Sequence, residues 1–119
     1  MEVRTPSDFV PLDTPDALED AIARSEREPV VLFKHSRLCG LSARARRKLN
    51  ALAGSAPPVY EVVVQQRRDL SNDIEQRFGI RHETPQVIVL HRRRPVFDAS
   101  HHRVSAETVR QAVDPLTAP

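Results

Sequence analysis

The sequence predicts an α/β domain: a mixed sheet of about four strands, five if the N-terminal segment joins it, between layers of helices. Three observations predict it. Val30–Phe33, Val59–Val64 and Pro85–Leu90 are near-continuous apolar runs rich in β-branched residues, the pattern of strands buried on both faces. Between and around them, apolar residues recur at helical spacing. Long connections that contain helices imply parallel pairing through right-handed crossovers, whereas the short link from His91 to Arg94 implies an antiparallel hairpin.

Taken in order, Val3 to Val10 forms a short first strand or an extended lead-in. Thr14 then offers an N-cap hydroxyl and Pro15 a first helical position. Leu18, Ala21, Ile22 and Ser25 form that helix's inner face, and Pro29 forces a stop near Arg27. After the first apolar run, Leu41, Ala45, Leu49 and Leu52 fall on one helix face, and Gly54 is placed to close that helix left-handed. Ala56-Pro57-Pro58 links to the second run, whose one charge is Glu61. Leu70, Ile74 and Phe78 mark a helix from Asp69 to Phe78, ended by Gly79 and Ile80. Pro95 to Ala99 is a further strand. Ser105 caps a last helix with Val109, Ala112 and Val113 inside and Val104 as its staple. The 119-residue chain reads as one domain, with residues 1–12 as lead-in and 114–119 as a frayed tail.

Composition narrows the function. Sixteen acidic residues are mixed among eighteen basic ones, for a net charge of +2. Arg44 to Lys48 and Arg92-Arg93-Arg94 lack interleaved aromatics and read as a solvated helix face and a turn, not as a nucleic-acid surface. No run is long enough to span a membrane and Met1 to Pro11 lacks the apolar core of a signal peptide, so a cytoplasmic location is expected; a monomer is expected as well. The single cysteine excludes an internal disulfide and suits a reducing compartment.

That cysteine is the candidate nucleophile. Cys39 stands where a buried strand gives way to a helix, so unpaired N–H groups and the positive end of the helix dipole point at its sulfur. Both favour the thiolate, as would Lys34, Arg37 or a protonated His35 lying close. Ser42, one helical turn on, has a hydroxyl that can donate to the thiolate. The bland alternative, a small buried apolar residue, fits this placement less well.

Three segments resemble one family. Lys34-His35-Ser36 followed by Cys39-Gly40-Leu41-Ser42 is similar to the Lys-His-Ser…Cys-Pro-Ile-Ser segment of the single-cysteine bacilliredoxins, thioredoxin-fold proteins of the bacillithiol system. Gln65, Arg68, Leu70, Ser71 and Asn72 resemble that family's entry into its third helix. Gly79-Ile80-Arg81-His82-Glu83-Thr84-Pro85-Gln86 resembles its Gly-Val-Lys-His-Glu-Ser-Pro-Gln, and Ala99-Ser100-His101 its Ser-His ending. Gly40 departs from the family's proline. Cys39-Gly40-Leu41-Ser42 thereby also resembles the Cys-Gly-Phe-Ser motif of monothiol glutaredoxins, some of which carry iron–sulfur clusters.

The resemblance implies a thioredoxin-like fold and a monothiol oxidoreductase. Cys39 would exchange disulfides with bacillithiol, a cysteinyl-glucosaminyl-malate acting as co-substrate, or with client proteins bearing it. No cofactor or metal would be required. The malate carboxylates call for guanidinium forks or helix N-termini, making Arg68 and Lys34 candidates with Ser71 and Asn72. Ser100 and His101 are further candidates for the thiol site. Thr84-Pro85 is expected to be a cis pair that offers its backbone to an incoming chain. Two alternatives remain open: an iron–sulfur carrier and a non-catalytic adaptor.

Overall fold

The computed structural model describes residues 9–52 and 56–117. The positions 3–8 of the expected first strand and the Gly54 cap lie outside the described residues. Strands β1 (Val10–Pro11), β2 (Val30–His35), β3 (Val59–Val63), β4 (Gln86–His91) and β5 (Arg94–Ser100) form one mixed sheet in the order β1-β3-β2-β4-β5. Helices α1 (Pro15–Arg24), α2 (Gly40–Leu49), α3 (Arg68–Phe78) and α4 (Ala106–Thr117) cover it, the fold class expected from the sequence. The fifth strand exists but is two residues long, parallel to β3.

Alternation along β2 divides the core. Val31 and Phe33 join Ala45, Leu49, Val109 and Val113 on the α2/α4 side. Val30 and Leu32 join Leu18, Ile22, Leu70 and Ile74 on the α1/α3 side. The central strands are thus buried on both faces, which is why they read as unbroken apolar runs. The predicted caps are present: the Thr14 hydroxyl accepts from Ala17 N at 3.1 Å, Gly79 is left-handed at φ 67°, and Ser105 and Thr108 cap one another's backbone N–H.

Two expectations are corrected. The helix-containing link from β3 to β4 does not make β4 parallel, because β4 runs antiparallel to β2. The cause lies after α3, whose 11 residues advance the chain ~16 Å. Residues 79–85 are enough to span ~23 Å when extended, so from the left-handed Gly79 the chain walks back along α3 and enters the sheet at the end where α3 began. The second correction is the tail. α4 runs through Asp114 to Thr117 despite Pro115, because Leu116 continues the inner face of Ala112 and Val113 and packs on the same core.

The β4–β5 hairpin is tighter than expected. Arg92 and Arg93 alone form its loop, both at positive φ (53° and 66°), as a two-residue turn with the twist of its strands requires. The buried Ser25 holds them, its carbonyl accepting from Arg92 N (2.7 Å) and its hydroxyl from Arg93 N (3.0 Å).

Candidate functional site

Register places the site at one end of the sheet. His35 pairs with Val63 in parallel, Lys34 with Gln86 antiparallel, and Gln86 with Ser100 antiparallel. The loops after β2, β3 and β5 and the loop before β4 therefore meet at the same end. At that end lie Cys39, then Gln65 to Arg67 with Arg68 opening α3, then Ser100 ending β5 with His101 after it, and Thr84–Pro85. Thr84–Pro85 is cis, as expected, and Ala56–Pro57 at the other end is cis too.

Cys39 is the N-cap of α2, in extended conformation (φ −118°, ψ 119°), with a half-buried side chain. Its carbonyl accepts the first helical bond from Ala43 N at 3.1 Å. Arg46, Arg47 and Lys48 in the last turn of α2 complement the negative end of its dipole, and no acidic residue in the first turn offsets the positive end at Cys39. Gly40 occupies the first helical position, where an added Cβ would meet nothing within 4 Å. Leu38, beside the cysteine, is 87% exposed.

The loop that presents Cys39 is held from beneath by polar groups. Buried Ser42 accepts from Ser36 N (2.9 Å), and its hydroxyl lies 3.1 Å from His35 Nδ1. Gln65 accepts from Arg37 N (3.1 Å) and donates to Ser36 Oγ (2.7 Å), which also takes Leu38 N (3.3 Å). The exposed Arg37 guanidinium reaches the Gln66 amide oxygen at 3.0 Å in the orientation that satisfies both. Burial pushes the His35 pKa below its ordinary 6.5; Glu61 opposes this, while Arg46 and Arg37 reinforce it. His35 is therefore a neutral imidazole at pH 7, where the sequence reading allowed a cation. The role of Ser42 visible here is structural: its oxygen closes the loop.

Lys34 lies elsewhere than the sequence reading placed it. As the neighbour of His35 on a strand it points to the opposite face, toward α3. It is 1% exposed, and its Nζ donates to the Ser71 carbonyl (3.0 Å) and to His82 Nδ1 (3.1 Å). Burial lowers its pKa from 10.5 to about 8, with Glu75 acting the other way. Ser71 is buried in the same cluster, with its hydroxyl 3.2 Å from His82 Nδ1. Lys34 and Ser71 are thus spent on protein partners, whereas Arg68 and Asn72 are exposed on the first turns of α3. Ser100 Oγ accepts from Gln86 Nε2 (3.3 Å). His101, exposed at φ 58°, donates its N–H to the Pro85 carbonyl (2.8 Å) and sits 3.5 Å from Glu83.

Four residues in this framework had no role assigned from sequence: Gln65, Glu75, His82 and Gln86. Gln65, His82 and Gln86 lie inside the motifs that carried the resemblance; Glu75 had no sequence signal, being one more acid on an exposed-looking helix.

Fold and site together define a thioredoxin-fold protein whose single cysteine opens the helix after the central strand. Among solved structures, the chain is similar to one described as "A putative oxidoreductase with a thioredoxin fold", with 30% identity, a TM-score of 0.79, and 87% of this chain and 92% of that one covered. Thioredoxins of Malassezia sympodialis (12% identity, TM-score 0.72, covering 99% and 98%) and Trypanosoma brucei brucei (14%, 0.75, 98% and 96%) share the fold. The family model described as "Monothiol bacilliredoxin BrxC" matches residues 10–109. The chain belongs to that monothiol bacilliredoxin family. Among the described residues no helix is long and apolar enough to cross a membrane.

Proposed function

We propose that this protein removes bacillithiol from client cysteines by disulfide exchange at Cys39. The observation that carries the reading is a lone, half-buried cysteine at the N-terminus of α2 in a chain of the bacilliredoxin family. The Cys39 thiolate attacks the bacillithiol sulfur of the client mixed disulfide. The client thiolate leaves and takes a proton, and bacillithiol remains on Cys39. With no second cysteine in the chain, Cys39 is freed only when an outside thiol attacks: free bacillithiol, yielding its disulfide, or a partner dithiol protein. Arg68, with Asn72 on the next turn, is exposed at the same end of the sheet and supplies charge and donors for the malate carboxylates. Thr84 offers its backbone to the client.

Incubation of the reduced protein with a bacillithiolated client tests this by mass spectrometry. One bacillithiol per chain on Cys39 and a released client thiol are expected. No transfer to a Cys39 that still reacts with iodoacetamide overturns the reading, and a coloured, cluster-bearing dimer after anaerobic iron and sulfide loading would put the carrier reading in its place.

A further inference from the structure

His82 is a half-buried histidine between three elements, used by nothing in the exchange chemistry. Lysine has no acceptor, so the 3.1 Å contact with Lys34 Nζ requires an unprotonated His82 Nδ1. The ring is held in the neutral form with its proton on Nε2. The His82 backbone N–H donates to Glu75 Oε2 on α3 at 2.6 Å. Next to it, the Arg81 carbonyl accepts from Gln86 Nε2 at 2.9 Å. These bonds attach the returning segment 79–85 to β2, α3 and β4, and the segment delivers Thr84–Pro85 to the Cys39 end of the sheet.

We infer that His82 is a positioning residue: by accepting from Lys34 it fixes the Thr84 edge against which a client or thiol lies, and its protonation releases that edge. Charged groups facing it are Lys34 from β2, Arg68 and Glu75 from α3 and Glu83 beside it. Burial, then Lys34, hold its pKa below the ordinary 6.5 against the pull of Glu75 and Glu83. At neutral pH the pair is an ammonium donating to an imidazole. In acid it becomes two cations at hydrogen-bond distance, and the donor–acceptor bond is gone.

The inference rests on the proposed exchange reaction for its functional side but not for its structural side, so two readouts are taken. The first is amide exchange of residues 81–84, corrected for intrinsic rates, at about pH 7.5 and about pH 5. The second is kcat/KM for the bacillithiolated client over the same range. His82→Asn puts a carbonyl oxygen that does not titrate near the place of Nδ1, and His82→Leu removes the acceptor. Wild type should lose protection at least roughly tenfold on acidification, the scale of one hydrogen bond to a charged group. His82→Asn should keep its protection and flatten the pH profile, and His82→Leu should show the acid behaviour at every pH. If His82→Asn loses protection with acid as wild type does, the inference is overturned, and His82→Asn alone decides should His82→Leu not fold. A wild type inactive on every client would sink the exchange reading while amide exchange still decides the role of His82.

Discussion

Lys34 and His35 are neighbours on β2, yet they serve opposite sides of the sheet. His35 turns to α2, where with Ser42, Ser36 and Gln65 it underlies the loop that presents Cys39. Lys34 turns to α3, where with Ser71, His82 and Glu75 it underlies the segment that presents Thr84. Both are polar clusters in a largely apolar core, and burial depresses all three titrating bases in them. The difference lies in what each supports. One fixes the loop that carries Cys39, the other the segment that carries Thr84. The charged and polar residues before Cys39 therefore do not form one patch, because a strand's period of two deals successive residues to opposite faces.

The largest expected effect leaves both supports intact. Cys39→Ala should abolish the bacillithiol adduct entirely, read by mass spectrometry, with no loss of folded structure by circular dichroism. Client thiol released by Cys39→Ala as fast as by the wild type would mean that the exchange does not run through this protein's one thiol.

Ser42→Ala should separate the two sides. It strips the acceptor from the buried Ser36 N–H, which is worth about 1–3 kcal/mol of stability. Urea titration measures that loss. Amide protection should fall at residues 36–38 and hold at 81–84, and an equal fall at both would mean that the two supports are one.

Acid should weaken both supports together. The folded pKa values of His35 and His82 lie below 6.5, so on acidification the unfolded chain takes up these protons first. Their share of stability is complete above about pH 6.5 and is lost as pH falls through the depressed folded values. Urea midpoints measured downward from neutral pH should drop, and His82→Asn should remove part of the slope.

Much of this arrangement was legible in the sequence, and its gaps have physical reasons. The buried strands, the Thr14, Ser105 and Gly79 caps and the position of Cys39 follow from local periodicity and capping chemistry. The direction of β4 did not, since a helix in the connection argues for a parallel crossover and only the return of residues 79–85 along α3 reverses it. The role of Lys34 was misplaced because adjacency to Cys39 outweighed the alternation of the strand. Glu75 was invisible because its partner is a backbone N–H on a loop whose path no pattern announces. Arg92 and Arg93 concealed a two-residue turn that usually asks for Asn-Gly.

The smallest expected effect is a gain. Cys39 at φ −118° and ψ 119° has the backbone a residue before proline needs, and Gly40 sits at the first helical position with open space at Cβ. Gly40→Pro should raise stability by about 0.4–1 kcal/mol, chiefly by restricting the unfolded chain. A destabilised Gly40→Pro in urea would mean that the Cys39 side needs the glycine.

The division between the two faces is tested most directly by titrating the histidine rings of the wild type and of Lys34→Met by NMR. Lys34 is among the charges that lower the His82 pKa and not among those that act on His35. Lys34→Met should therefore raise the midpoint of His82 and leave that of His35 where it was. A shift at His35, or none at His82, would contradict the account.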